Sequence, residues 1–140
     1  MIDWEWIERG QPTAADISKA VKSVQKMPGA GDQQHVAAQF PVYGKQMPPT
    51  PDGAWDDAKL MTLKLKKLRA TNAQLDRANL VWHLQHPGMS KMKSPRNTHP
   101  QVIKTEDGDL IIADGHHRLS ALRLLGLKRE SCWVLNAKDM

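Results

Sequence analysis

Four polar side chains flank a single glycine in the segment Asp114-Gly115-His116-His117-Arg118. An apolar run precedes this segment and an amphipathic run follows it, so a strand that turns directly into a helix is predicted. The glycine permits a positive φ angle and lets a ligand approach the backbone closely. The first helical turn then offers backbone N–H groups and partial positive charge to an anion. The pattern predicts a phosphate-binding turn formed by Gly115, His116, His117 and Arg118.

The side chains of this segment could add catalysis to binding. Arg118 carries a permanent charge on a fork that fits phosphate oxygens. His116 and His117 titrate near neutral pH and are candidates for proton transfer. Asp114 could be a base, a helix cap, the partner of a histidine or a ligand of a divalent ion. The candidate catalytic residues are therefore Asp114, His116, His117 and Arg118, and the structural alternative is a turn with a cap and a solvated arginine.

Positive charge is concentrated in the middle of the chain. The net charge is +5, and residues 63–104 contain nine basic residues against Asp76 alone. Such a concentration attracts polyanions such as nucleic acid, although a solvated basic face is the structural alternative. The candidate nucleic-acid-binding residues are Lys64, Lys66, Lys67, Arg69, Lys91, Lys93 and Arg96.

Hydrophobic periodicity and turn residues predict the elements that position the segment. They are a strand over 62–68, a helix over 74–86, strands over 101–105 and 109–114 joined by a tight turn at Glu106-Asp107-Gly108, a helix over 117–125 followed by Gly126, and a strand over 131–136. Strands and helices in this order predict an α+β domain over residues 61–140.

Residues 1–60 are predicted to form an N-terminal extension of this domain. Its helix covers residues 13–27, with Thr13 as the cap. Residues 41–53 are rich in proline and glycine, so no regular structure is expected there. This stretch is either a linker or a long loop packed on the surface.

Composition and length exclude several classes of protein. With 140 residues, 40% of them hydrophobic and 25% charged, one globular core is expected, and collagen-like, coiled-coil and fully disordered chains are excluded. No apolar stretch is long enough to span a membrane, and the N-terminus lacks the features of a secretory signal. The single cysteine, Cys132, cannot form an internal disulfide, so a reducing cytoplasm is predicted.

The stretch IIADGHHRLSALRLLG resembles the motif of the superfamily that contains ParB-type domains and sulfiredoxin. Members have a strand, a Gly-x-x-Arg turn and a helix that ends in Leu-Gly. KLKKLRATN is similar to the family's first strand, and PQVIK with DLIIADGHHR resembles the strand pair that delivers the motif. The resemblance covers roughly residues 61–137. It implies a small mixed sheet with packed helices that binds nucleotide or nucleic-acid phosphates on the Gly-x-x-Arg turn.

The family contains several activities, and the motif here departs from some of them. Sulfiredoxin-like members place a catalytic cysteine where this chain has His116. Chromosome-partition members have a Gly-Glu-Arg-Arg turn that binds CTP and continue into DNA-binding and dimerisation regions. Here His117 replaces the first arginine, and 22 residues follow Arg118. The Asp-Gly-His-x-Arg turn resembles that of kinases acting on free serine, and the chain looks most like short phage and plasmid members described as ParB-like nucleases.

We therefore expect a ParB-like nuclease or phosphohydrolase. The basic segment would follow a nucleic-acid backbone, Arg118 and the turn would hold the scissile phosphate, and Asp114 or His116 would activate water. Mg²⁺ or Mn²⁺ is a candidate cofactor, and ATP, ADP and CTP are candidate nucleotides. The alternatives are a kinase of a small hydroxyl compound and a non-catalytic module that binds nucleotide or DNA.

Histidines and tryptophans outside the motif suggest other sites. His83, His86 and His99 invite a zinc interpretation, but no fourth ligand has suitable spacing and basic residues crowd the region, so zinc is not expected. Tryptophans in periodic elements are predicted core residues, and the others are predicted to pack the extension onto the domain: Trp82 and Trp133 in the first group, Trp4, Trp6 and Trp55 in the second.

Overall fold

The computed structural model describes residues 12–89 and 98–139. Within these ranges it contains three α-helices, seven strands and three short 3₁₀ turns, which confirms an α+β architecture. In chain order the elements are α1 (Ala14–Lys26), β1 (His35–Ala37), β2 (Lys59–Lys64), β3 (Leu68–Arg69), β4 (Gln74–Asp76), α2 (Arg77–Gln85), β5 (Gln101–Lys104), β6 (Leu110–Asp114), α3 (His116–Leu124) and β7 (Arg129–Asn136). The 3₁₀ turns are Ala54–Asp57, Leu65–Lys67 and Ala137–Asp139. None of the described helices has the length and apolar character needed to cross a bilayer.

Five strands form a mixed sheet in the order β2-β7-β5-β6-β3. The β2–β7 and β5–β6 pairs are antiparallel, and the β5–β7 and β3–β6 pairs are parallel. The two edge strands are joined by the turn Leu65–Lys67 alone. That connection spans at most about 14 Å, whereas four strand spacings in a flat sheet are about 19 Å. The sheet therefore curls, and its two edges approach each other.

Helix α3 lies between two clusters of buried apolar side chains. Leu119 and Leu122 pack against the inner face of the large sheet, with Val102 and Ile112 as partners. Ala121 belongs to the second cluster, which α1 and α2 fill with side chains such as Val24, Leu80 and Leu84. Because both clusters hold α3, its first turn has a fixed position relative to the end of β6.

Residues from the predicted N-terminal extension pack directly on the rest of the chain. Helix α1 begins with a capping box between Thr13 and Asp16, as the sequence predicts. Strand β1 pairs with β4 in a separate two-stranded sheet. The guanidinium of Arg77 donates hydrogen bonds to the carbonyls of Val24 and Gln33. Residues 41–53 contain no helix or strand, apart from a bridge between Val42 and Ala70.

Two predicted elements are wrong in their extent. The strand predicted over 62–68 covers Lys59–Lys64 instead, because the amide of Leu65 donates to the carbonyl of Lys128 and the chain then turns. The helix predicted over 74–86 begins at Arg77, because the carboxylate of Asp76 accepts the amide proton of Asn79 and caps the helix there. The three residues before it form β4 instead.

The hairpin and the motif helix agree closely with the prediction. Strands β5 and β6 are antiparallel, and Gly108, with φ +90°, closes the turn between them by donating to the carbonyl of Thr105. Gly126, also with φ +90°, follows α3 as predicted. Strand β7 begins two residues earlier than predicted, since Arg129 pairs with Lys64.

Candidate functional site

The strand-turn-helix predicted around Gly115 is present. Gly115 has φ +95° and is the N-cap of α3, and the first intrahelical hydrogen bond runs from the amide of Leu119 to its carbonyl at 2.9 Å. The amides of the first turn have no carbonyl of the same helix to bond, and Gly115, the N-cap residue, has no side chain that could cap them. Asp114 is exposed, and Gly115 is half-buried. The backbone donors and the helix dipole at the start of α3 therefore lie in half-buried residues, beside the exposed carboxylate of Asp114.

Gly115 is fixed by contact as well as by its backbone angle. A Cβ atom at this position would lie 2.9 Å from the Cβ of Pro100. Pro100 is itself buried and held, since its carbonyl accepts the amide proton of Trp133 at 2.8 Å. A side chain at position 115 would have to displace Pro100, the residue directly before β5.

Replacing Gly115 by alanine is expected to destabilise the fold more than the same change at Gly108. Both glycines have φ near +90°, where an L-residue costs about 1–2 kcal/mol, but a Cβ at Gly108 meets no atom within 4 Å. We expect G115A to lose about 2 kcal/mol beyond the loss in G108A, as for an overpacked core position. Urea unfolding of the two variants measures the difference, and equal losses would show that Pro100 does not constrain the turn.

His116 is held as a neutral hydrogen-bond acceptor. Its Nε2 accepts the amide proton of Thr71 at 3.0 Å, and the Thr71 hydroxyl donates to the carbonyl of Ile112. Burial lowers the pKa of His116 to about 4; the nearby His117 acts in the same direction, and the Asp114 carboxylate opposes the shift. A neutral ring that accepts at Nε2 carries its proton on Nδ1. The ring therefore ties the chain after β3 to the motif.

His117 makes an equivalent hydrogen bond to the last residue of β4. Its Nε2 accepts the amide proton of Asp76 at 2.9 Å, and its ring centroid lies 6.5 Å from that of His83. The hydrogen bond from the Asn79 amide is the main reason that the pKa of Asp76 is lowered, and bonding to Gln34 lowers it further, against the effect of burial. The two motif histidines thus hold the segment between Thr71 and Asp76 against the start of α3.

The free energy of unfolding is expected to fall between pH 6.5 and pH 4 in a way that depends on His116. In that interval the unfolded imidazole takes up a proton near its ordinary pKa of 6.5, whereas the folded one stays neutral down to about pH 4. The unfolded state then binds more protons, so stability decreases as the pH falls. Because the ring is partly solvated, we expect a loss of about 2 kcal/mol rather than the full value of the shift.

The H116Q variant provides the comparison, measured by urea unfolding at pH 7 and pH 4.5. His99, whose pKa is also lowered by burial and by Arg118, is unchanged in both proteins, so its contribution cancels in the comparison. The variant is expected to have a flatter pH profile than the original chain. Identical profiles would mean that the His116 ring is not buried as a neutral acceptor.

Arg118 lies behind the turn and is not solvated. The residue is 8% exposed, and its guanidinium donates to the carbonyl of Thr98 at 2.8 Å. Its Nη2 also lies 4.0 Å from the Oε2 of Glu130, a residue that is equally buried. The other carboxylate oxygen of Glu130, Oε1, accepts the amide proton of Ser131. Arg118 therefore holds the chain before β5 and the start of β7 against the motif helix.

The predicted basic residues fall into three groups. Lys64, Lys66 and Lys67 are exposed, whereas the half-buried Arg69 donates to the carbonyls of Lys66 and Leu68. Leu68 pairs with Leu110, the first residue of β6. Asp114, the last residue of β6, lies about 13 Å further along the strand, and Gly115 follows it. The structure does not bring the beginning of β3 to the turn. Lys91, Lys93 and Arg96 lie outside the described residues.

The other sequence candidates occupy structural positions. The described residues contain no group of three or more histidine, cysteine or acidic side chains that could hold a metal ion. His83 and His99 are buried, and His86 stacks on Trp82. Trp82, Trp133 and Trp55 are half-buried, and Trp4 and Trp6 are outside the described residues.

The single cysteine does not provide a nucleophile. Cys132 is fully buried, and burial raises the pKa of its thiol to about 12, with Glu130 adding to the shift. The thiol therefore stays protonated at neutral pH. This agrees with the sequence argument, which found no cysteine at the position after the motif glycine.

Three residues of the site were not identified from sequence. Thr71 and Pro100 are distant from the motif along the chain, and nothing in their local pattern indicates that they contact it. Glu130 is part of a strand whose inward-facing positions are otherwise apolar or cysteine, so a buried carboxylate there could have suggested a basic partner.

No protein-family model matches the chain, and the curated proteins and solved structures contain no match to it either.

Proposed function

We propose that this chain is a ParB/sulfiredoxin-like domain that acts as a nuclease or phosphohydrolase. It would bind nucleic-acid or nucleotide phosphates at the turn from Gly115 to Arg118 and hydrolyse a phosphoester bond there. The observation that carries the proposal is the start of α3, where a glycine is the N-cap residue and directly follows the exposed carboxylate of Asp114.

The backbone at this position supports the proposed phosphate binding. The amides at the start of a helix and its dipole attract anions, and a glycine at the N-cap lets a phosphate oxygen come close to them. The side chains of His116, His117 and Arg118 support the turn from behind through Thr71, Asp76 and Thr98 respectively. In the proposal these three are phosphate-binding residues through the backbone and positioning residues through their side chains.

Asp114 is the motif side chain best placed to act on a bound phosphate. Its carboxylate would take a proton from a water molecule, and the water oxygen would attack phosphorus. The bond between phosphorus and the leaving oxygen breaks, and that oxygen takes a proton from solvent. The helix amides would stabilise the negative charge that develops on the phosphoryl oxygens.

A resident divalent ion does not fit the described part of the turn. One carboxylate, Asp114, is present there, and the ring nitrogens at Nε2 of both motif histidines accept amide protons. Mg²⁺ is often held by one or two carboxylates together with substrate phosphates, so Mg²⁺ or Mn²⁺ would enter together with its phosphate ligand. ATP, ADP and CTP are among the nucleotides that could present such phosphates.

A non-catalytic phosphate-binding module is the second candidate. The observation in its favour is that the ionisable side chains of His116, His117 and Arg118 are engaged in contacts within the protein. If Asp114 does not act as a base, the remaining chemistry of the turn is binding.

The D114N variant separates the two candidates. Asparagine keeps the size of the side chain and removes the base, so we expect hydrolysis of a labelled DNA strand to fall by at least about 100-fold, in line with general base catalysis. Hydrolysis is followed in Mg²⁺ and in Mn²⁺ by the release of labelled fragments, and plasmid DNA is the second substrate.

The matched control is D107N, which changes an exposed carboxylate in the β5–β6 turn. Its activity should match that of the original chain. Equal activity in D114N and D107N would contradict the catalytic proposal. Binding of DNA or nucleotide without hydrolysis in any of the three proteins would favour the non-catalytic module.

A further inference from the structure

Strand β2 forms one edge of the five-stranded sheet, and its side chains do not alternate between buried and exposed. It pairs with β7 on one side, and within residues 12–89 and 98–139 no strand pairs with its other side. Successive side chains of a strand point to opposite faces, so a strand packed on one face should alternate. In β2 residues 59–62 are all exposed, and Leu63 is buried. Both faces of the sheet are therefore open at the end of this edge that lies away from the turn Leu65–Lys67.

Two of these exposed residues are apolar and adjacent. Leu60 is 43% exposed on the outer face of the sheet, and Met61 is 46% exposed on the inner face. Met61 pairs with Cys132 and lies on the same face as Leu63, and both of these residues are buried in the core. Adjacent apolar residues exposed on an edge strand are a site at which a further strand can pair.

The hydrogen bonds to β7 determine which backbone groups of β2 point away from the sheet. The amide of Leu65 donates to the carbonyl of Lys128, and these two residues extend the register of the β2–β7 pair by one position. In an antiparallel pair, hydrogen-bonded and non-hydrogen-bonded positions alternate. Leu60, Thr62 and Lys64 therefore occupy non-hydrogen-bonded positions, and their N–H and C=O groups point away from β7. A strand that adds to this edge must bond to these residues.

The direction of these groups limits how a second copy of the chain could pair with the edge. In an antiparallel pair of two β2 strands, residues with outward backbone groups lie opposite one another only if the two-fold axis passes through a residue. An axis at Lys64 would place two cations directly opposite each other, which is destabilising. An axis at Met61 pairs Leu60 of each copy with Thr62 of the other, and Lys64 is then three positions from the axis.

The axis at Met61 also fits the two ends of the strand. An axis one residue earlier would extend the pairing to Ala58, whose amide already donates to the carbonyl of Trp55. An axis further toward the end of β2 would bring the basic turns Leu65–Lys67 of the two copies closer together. With the axis at Met61, the two exposed methionines lie directly opposite each other, in a non-hydrogen-bonded position where facing side chains are closest.

We propose that β2 is a dimerisation edge, at which a second copy of this chain pairs antiparallel with Met61 on the two-fold axis. Leu60 and Thr62 of one copy exchange backbone hydrogen bonds with Thr62 and Leu60 of the other, so that the two sheets become continuous. The partner is a second copy because the edge is complementary to itself: methionine meets methionine, and no lysine lies opposite a lysine. The inference is independent of the proposed function, since it uses no residue of the turn around Gly115.

Disulfide trapping with the full chain tests the contact and its register. The variants L60C and T62C place a thiol on the outer face, whereas Cys132 is fully buried on the inner face. In the proposed dimer, position 60 of one copy is directly opposite position 62 of the other, with about 5.5 Å between the Cα atoms, which a disulfide spans. Two copies of the same position are diagonal neighbours about 7–8 Å apart, which is beyond the usual range of a disulfide.

A mixture of L60C and T62C, oxidised with copper phenanthroline, should therefore form the mixed disulfide dimer in at least about fivefold excess over either homodimer. Intact mass spectrometry distinguishes the three products, because the two variants differ in mass. An axis at Leu60 or at Thr62 would instead favour the homodimer of the corresponding variant, and that result would overturn the proposed register.

The M61K variant tests the contact at the axis without an added thiol. It places two cations directly opposite each other, so we expect the dissociation constant of the dimer to rise at least about tenfold. M89K is the matched control, because it makes the same change at a methionine that is 56% exposed and follows α2. Its dissociation constant should stay within about twofold of that of the original chain, because the added charge is remote from the edge.

Sedimentation velocity measures the dimer in about 0.3 M salt, which screens the net charge of +5 on each copy. Because an interface formed by one strand edge is small, the dimer is expected to be weak, and protein concentrations run from about 10 µM to about 1 mM. Circular dichroism and urea unfolding establish that each variant is folded. A chain that remains monomeric over this range, or equal dimerisation of M61K and M89K, would overturn the inference.

Discussion

The left-handed backbone at Gly115 is the constraint on which the site depends. It ends β6 and begins α3 within one residue, and it does so against Pro100 with no space for a side chain. Pro100 is fixed in turn by the hydrogen bond from Trp133 on β7. The direction of α3, and with it the position of its N-terminal amides, therefore depends on the contacts that link the end of β6 to Pro100 and Pro100 to β7, and not on the helix alone.

The polar side chains of the motif serve this geometry in an unexpected way. His116 and His117 accept backbone amide protons, and Arg118 donates to a backbone carbonyl, so each one bonds a backbone group elsewhere in the chain: that of Thr71, Asp76 and Thr98 respectively. The side chains hold the chain around the turn, whose residues Gly115, His116 and His117 are themselves half-buried. Among the motif's ionisable residues, only Asp114 is exposed.

Local patterns were enough to predict the parts of the fold that local interactions decide. The Asp107-Gly108 turn, the Thr13 cap and the position of Gly126 each follow from a few neighbouring residues. The pairing of β1 with β4 could not be predicted in this way, because both strands are three residues long and their partner lies almost forty residues away. Asp76 is a further example. The sequence pattern places it within a helix, whereas in the structure its carboxylate caps the helix that begins at the next residue.

The same difference between local and long-range interactions applies to the candidate site. A strand, a glycine and a helix could be predicted from adjacent residues, but burial of Arg118 against Glu130 could not, because it depends on the long-range placement of β7 in the sheet. The separation of Lys66 and Lys67 from the turn has the same origin. Their place beside Lys128 depends on the return of the chain at Leu65.

The most direct test of this account is a ¹H–¹⁵N correlation experiment on the labelled full chain during titration with ATP and with a short DNA strand. If the backbone of the turn binds phosphate while the histidines support it, the largest amide shifts will be at Gly115 and His116. The His116 ring will at the same time keep its proton on Nδ1. Amide shifts confined to residues other than Gly115 and His116, or a His116 ring that is charged at neutral pH, would contradict the account.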